Sequence, residues 1–216
     1  MKKVFIYCEG YTEEAFINEI LTPYFMDWNI LVAPIICTTK KTKHRSYKGG
    51  VSDYNKIKQE LTILCHTHKD VHITTMFDYY GMPLNTPGIT YQHSNIYKRI
   101  ETIEEKINTD IGIKNFSFHF MIHEFEGILF SSPNSFRLIA DDSVINEIQK
   151  IRYAAISPEH INNSAKTAPS KRIEKLIPNY AKVKNGTILS KDMGIYTIMN
   201  ECKHFRHWIE KIKNIY

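Results

Sequence analysis

Cysteine is scarce in this chain of 216 residues, and Cys8, Cys37, Cys65 and Cys202 form no C-x-x-C pair. That spacing excludes a disulfide framework or a structural zinc cage and fits reduced core thiols in a cytoplasm. Long hydrophobic runs are also missing: no apolar stretch approaches the ~20 residues of a membrane helix. The longest uncharged apolar segment, Trp28 to Cys37, is strand-like and interrupted by Pro34. The start, Met1-Lys2-Lys3 followed by a short β-branched and aromatic run, has no small-residue cleavage site and reads as a first strand, not a signal peptide. No Gly-x-x-x-x-Gly-Lys-Ser/Thr loop occurs, which excludes a Walker nucleotide site, and no Gly-x-Ser-x-Gly elbow occurs either. His123-Glu124-Phe125-Glu126-Gly127 carries Gly where a His-Glu-x-x-His zinc helix needs its second histidine. There is no internal repeat and no low-complexity tract.

Hydrophobic residues make up 43% of the chain and aromatics 12%, enough for one sizeable core. The net charge of +5 is unevenly spread. Residues 150–216 hold 13 Lys or Arg against 5 Asp or Glu, and residues 1–149 hold 15 against 18. A second basic cluster, Lys40, Lys41, Lys43, His44, Arg45 and Lys48, interrupts the acidic part. Basic clusters of this kind either face a phosphate-bearing ligand or are solvated surfaces that aid solubility.

Strand-like and helix-like segments alternate. A strand is predicted over 3–8. A helix follows with Thr12 as N-cap, Glu13 and Glu14 in its first turn, and a stripe of Phe16, Ile17, Ile20, Leu21 and Tyr24. A second strand is expected over 29–37, then a basic loop over 38–50. Tyr54, Ile57, Leu61 and Leu64 mark a helix, 71–77 a third strand, and the Gly/Pro-rich 81–88 a shaped loop. Ile96, Ile100, Ile103 and Ile107 carry another helix ending near Gly112. Residues 115–123 alternate in period two as a fourth strand. Short helices are expected around 133–155, 169–177 and 204–213. This order implies an α/β fold, a mostly parallel central sheet with helices on both faces. Residues 1–150 form its domain, and 151–216 form a basic helical extension packed on it.

Three of the predicted strands end in carboxylates: Glu9 after Val4–Cys8, Asp78 after Val71–Phe77, and Glu124 with Glu126 after Phe116–His123. Parallel strands bring their carboxyl ends to one edge, where ligand crevices form. Carboxylates gathered there repel one another until a cation neutralises them, and hard oxygens suit Mg²⁺ or Mn²⁺. Each residue also has a plainer role. Glu9 can cap the dipole of the helix after it, and Asp78 can initiate the turn into the loop. Tyr79 and Tyr80 either stack a base or pack as amphipathic rings. Ala168-Pro169-Ser170-Lys171-Arg172 starts a helix that either clamps phosphate or lies capped in solvent.

Taken in order, Tyr7-Cys8-Glu9-Gly10-Tyr11-Thr12-Glu13-Glu14, Thr75-Met76-Phe77-Asp78-Tyr79-Tyr80-Gly81, His123-Glu124-Phe125-Glu126-Gly127-Ile128-Leu129-Phe130, Ala168-Pro169-Ser170-Lys171-Arg172 and Cys202-Lys203-His204-Phe205-Arg206-His207-Trp208 resemble the bacterial domain family DUF4276, a relative of Toprim, the topoisomerase–primase domain. The resemblance implies a Toprim-like fold and a Mg²⁺ (or Mn²⁺) site for phosphodiester chemistry. In it Glu9 takes the glutamate position and Asp78 the first position of an Asp-x-Asp pair. Tyr80 stands at the second, a departure, because a phenol protonated at neutral pH is a poor Mg²⁺ ligand. Glu124 and Glu126 are the expected substitutes. The implied activity is a metal-dependent nuclease with Glu9, Asp78, Glu124 and Glu126 as catalytic residues and Glu9, Asp78 and Glu126 as metal ligands. Ser170, Lys171, Arg172, Lys40, Lys41 and Arg45 would hold nucleic acid. The implied setting is phage or mobile-element defence, with DNA or RNA and a separately encoded ATPase as partners, no membrane, and self-association left open. The alternative is a non-catalytic module that docks on an ATPase or binds nucleic acid.

Overall fold

A computed structural model describes residues 1–38, 53–161, 164 and 167–215. Lys40, Lys41 and Arg45 lie outside the described residues. The sheet is built from β1 (Lys2–Cys8), β2 (Ile30–Ile36), β3 (His72–Asp78), β4 (Phe116–Ser117) and β5 (Phe120–Met121). Its order is β2-β1-β3-β4, with β5 also on β3, and every pairing is parallel. The predicted α/β fold with helices on both faces is therefore present. Alternation along the strands divides the core. Val4, Ile6, Cys8 and Met76 join one hydrophobic cluster, and Tyr7, Ile73 and Phe77 the other.

The second face is covered by α3 (Tyr54–Thr67) and α4 (Ile96–Ile111), whose N-caps are Asp53 and Asn95 and whose apolar stripes were legible in the sequence. Gly112 closes α4 with φ +65°, a left-handed turn that suits glycine. The first face is covered by α1 (Tyr11–Phe16), a π-helical turn Ile17–Leu21, α2 (Thr22–Met26) and the C-terminal helices. The helix after β1 starts at Tyr11 with Gly10 as N-cap, so Thr12 lies inside it and not at the cap. The helical run carries Pro23 three residues before its end at Met26. Proline supplies no amide to the ladder and crowds the preceding turn, and the wide π turn accommodates both.

The predicted fourth strand is broken in two. β4 and β5 keep one register against β3, but at 118–119 the ladder is interrupted by the Thr75 hydroxyl. Thr75 Oγ1 donates to the His119 carbonyl at 2.9 Å and accepts from the His119 amide at 2.8 Å. The neighbouring amides of Phe118 and Phe120 go to α4 instead, to Asn108 Oδ1 and Glu104 Oε1, both at 2.7 Å.

Beyond residue 130, α5 (Asp142–Tyr153), α6 (Pro169–Leu176) and α8 (Lys203–Lys213) match expected helices. The longest one, α7 (Lys182–Glu201), was not expected. Its buried residues fall at 186, 189, 190 and 193, then slip to 195, 198 and 199. The slip occurs at Gly194, whose φ of +73° and ψ of 153° leave the helical region. Two short apolar faces out of phase conceal the helical period. Leu189, Ile198, Phe205 and Trp208 of α7 and α8 share one cluster with Val4 and Ile6, so residues 182–213 complete the core of the sheet. Among the described residues no helix is long and apolar enough to cross a membrane.

Candidate functional site

The carboxyl ends of β1, β3 and β5 meet along one edge, as parallel topology requires. Glu9 follows β1, Asp78 ends β3, and Glu124 and Glu126 follow β5. Glu13, one helical turn into α1, reaches back over the turn: a Cβ placed on Gly10 would stand 3.6 Å from its Oε2. Burial, and then the charges of Glu9, Glu13, Glu126 and Glu124, hold the Asp78 carboxyl well above the usual carboxylate range. Five carboxylates from three strand ends thus share one electrostatic site.

Local structure fixes three of them. Asp78 Oδ1 accepts the Phe125 amide at 2.8 Å and so caps the 3₁₀ helix Phe125–Ser131. Glu124 Oε2 accepts the Ser170 amide at 2.9 Å and supplies the side-chain cap that Ala168 cannot give α6. Glu126, 2% exposed, takes the Lys182 ammonium at 3.0 Å. Burial pushes the Glu126 carboxyl up, against the pull of Lys182. Burial alone would pull Lys182 down, but the attraction of Glu126, Glu124 and Asp78 outweighs it and leaves the ammonium raised. The Tyr180 hydroxyl is buried without a hydrogen-bond partner, and burial and Glu126 both hold its proton on.

The expected phosphate group at α6 has its own engagements. Ser170 is buried with its amide on Glu124, Lys171 pairs with Glu174 at 2.5 Å in an exposed i,i+3 contact, and Arg172 Nε donates to the Thr167 carbonyl at 2.8 Å. Tyr79 is buried against Phe120 with Arg99 over its ring, whereas Tyr80 is 40% exposed.

Lys182 and Tyr180 had no signal in the sequence, because the helix that Lys182 opens was concealed and Tyr180 lies in the loop just before it. A second group was missed for another reason. Glu104, His119 and His204 are buried, and one ligand atom from each lies within 4.8 Å of the others. Among the described residues this is the one such trio, and its geometry can hold a metal ion. Glu9, Asp78 and Glu126 do not meet that spacing. Glu104 sits inside the stripe Ile100, Ile103, Ile107 and Ile111 of α4. A carboxylate at an apolar-stripe position is the signal that could have found it.

No curated protein and no solved structure is similar to the chain at a significant level. The family described as domain of unknown function DUF4276 matches residues 8–213, and the chain belongs to that family.

Proposed function

We propose that the acidic edge is a Toprim-type centre that binds Mg²⁺ or Mn²⁺ and hydrolyses phosphodiesters of DNA or RNA. The observation that carries this reading is the convergence of Glu9, Asp78, Glu124 and Glu126 on the ends of neighbouring parallel strands, where burial and the other charges raise the Asp78 carboxyl. An all-oxygen donor set under mutual repulsion fits a hard divalent cation. When bound, such an ion activates water and stabilises the leaving oxygen.

The residues have separate parts in that chemistry. Glu9, at the start of a tight turn, would hold the cation or serve as the acid/base for the attacking water. Asp78 keeps one oxygen on the Phe125 amide, which orients the other. Glu126 is the residue that stands in for the missing second aspartate. Glu124 ties α6 to the site and supports the other carboxylates. Lys182 balances the charge of the cluster through Glu126 and would offer its ammonium to a bound phosphate. Lys171 and Arg172, one and two residues beyond the capped amide, hold the flanking backbone, with Lys40, Lys41 and Arg45 as a further basic contact. The wider setting is a cytoplasmic defence effector working with a separately encoded ATPase. Tyr80, exposed at the second acidic position, favours the alternative of a non-catalytic docking module.

Incubation of plasmid DNA or RNA with the protein and Mg²⁺ or Mn²⁺, alone and with the neighbouring ATPase, tests the proposal. Cleavage should require the metal, and Glu9→Gln should lower it by about 100-fold or more while leaving nucleic-acid binding intact. Undiminished cleavage by Glu9→Gln would refute the mechanism. Co-purification with the ATPase without any cleavage would establish the docking module.

A further inference from the structure

The break in the fourth strand places a histidine where an ordinary sheet would bury an apolar residue. His119 is 3% exposed, its Nε2 has no hydrogen-bond partner, and its Nδ1 stands 3.6 Å from Glu104 Oε1. His204, 5% exposed at the start of α8, donates from Nε2 to the same Glu104 oxygen at 2.9 Å. An ion pair between Glu104 and His204 explains those two residues and leaves His119 unexplained.

We propose that Glu104, His119 and His204 form a site for a first-row transition-metal dication of the zinc class, chemically distinct from the acidic edge. Two imidazoles and one carboxylate suit Zn²⁺ and its neighbours, whereas Mg²⁺ selects oxygen. Donors at about 2.0–2.1 Å in a tetrahedral shell stand about 3.3 Å apart. The two measured separations, 2.9 and 3.6 Å, bracket that value.

The surroundings meet the other requirements of a metal site. Glu104 is oriented by the Phe120 amide at 2.7 Å. Both carboxylate oxygens of buried Glu159 accept amides at the start of α8, those of His204 and Phe205, and so fix the backbone that carries His204. A cleft of about 260 Å³, lined by the three residues together with Glu105, His207 and Lys211, leads to solvent and leaves room for water as a fourth ligand.

Ring geometry adds a requirement. The His119 and His204 rings are stacked at 4.7 Å with planes 19° apart, so their lone pairs do not yet converge on one point. His119 is also stacked on Trp208 at 4.4 Å and 3°, and Trp208 is anchored by a 3.0 Å hydrogen bond to Thr74. His204 is therefore the ring that turns, exchanging its hydrogen bond to Glu104 for the metal.

Zn²⁺ titration of the chelator-stripped full chain by calorimetry tests this, with Co²⁺ as a coloured substitute and Trp208 fluorescence read in a Trp28→Phe background. The expected result is one equivalent bound, visible Co²⁺ absorption of a four-coordinate ion, and quenching of Trp208 by Co²⁺. His119→Phe, which preserves the ring stack, and Glu104→Gln, which preserves an acceptor for Phe120, should each weaken binding by at least about 100-fold, a loss expected from removing one ligand. Glu147→Gln, at an exposed pair with Lys150, should bind as the parent does, and Asp78→Asn reports any uptake at the acidic edge. Failure of the parent to take up Zn²⁺, or uptake that follows Asp78 and not His119 and Glu104, would overturn the proposal.

Discussion

The two carboxylate centres of this protein differ in how the chain makes them. At the acidic edge, charges sit at strand ends, repel one another, and are balanced by Lys182, which is half exposed. In the imidazole cluster a single carboxylate sits in mid-helix, is shared by the Phe120 amide and His204, and stands beside His119, which is stacked on Trp208. The first arrangement stores electrostatic tension that a ligand can release. The second is bonded internally, so its loss is felt by the fold. Topology alone assembles the edge, whereas the cluster depends on a hydroxyl opening the ladder at His119.

The contrast can be broken most directly at Glu104. Glu104→Ala leaves the Phe120 amide and His204 without their acceptor and should destabilise the fold by about 3–5 kcal/mol, read by urea unfolding. An unchanged midpoint would mean that the cluster does not brace the fold. Glu104 also holds His204 protonated above the ordinary histidine value despite burial. Its contribution is therefore fully present below about pH 6.5, the unfolded value, and is lost as pH rises through the folded one.

At the edge the pH dependence has the same sign, but the expected effect of a substitution has the opposite one. The Asp78 carboxyl is raised in the folded state, so the folded chain binds more protons than the unfolded chain and stability falls as pH rises from about 4. Asp78→Asn keeps an acceptor for Phe125 and removes the charge. Without added metal, its melting temperature at pH 7 should exceed that of the parent, and its pH profile should be flatter above pH 4. A lower melting temperature at pH 7 would show that Asp78 is not under repulsion. The smallest effect is expected for Lys182→Met. The lysine is half exposed, so the loss should be at most about 1 kcal/mol, measured by the same unfolding curve. A larger loss would make the edge as structural as the cluster.

Alternation of strands and stripes made the sheet, α3 and α4 legible in the sequence, and the positions of Glu9, Asp78, Glu124 and Glu126 followed from where strands end. What each carboxylate touches was not legible. Glu124 as the cap of α6 and Lys182 as the partner of Glu126 are long-range contacts made by a helix that Gly194 hid. Period two puts His119 on one strand face with Ser117, and it cannot foresee a threonine hydroxyl replacing the ladder. His204 lies beside Phe205 and four residues before Trp208, which would have placed it on the inner face of α8 had a polar residue been allowed there.

The late helices have a further consequence for synthesis. Ile198, Phe205, Trp208 and Ile212 cover the same sheet face as Val4, Ile6 and Met76. A nascent chain leaving the ribosome therefore carries part of this face, the part that α1 and α2 do not cover, bare until residues 198–212 have emerged. Over that interval the bare surface is open to chaperones or to other chains.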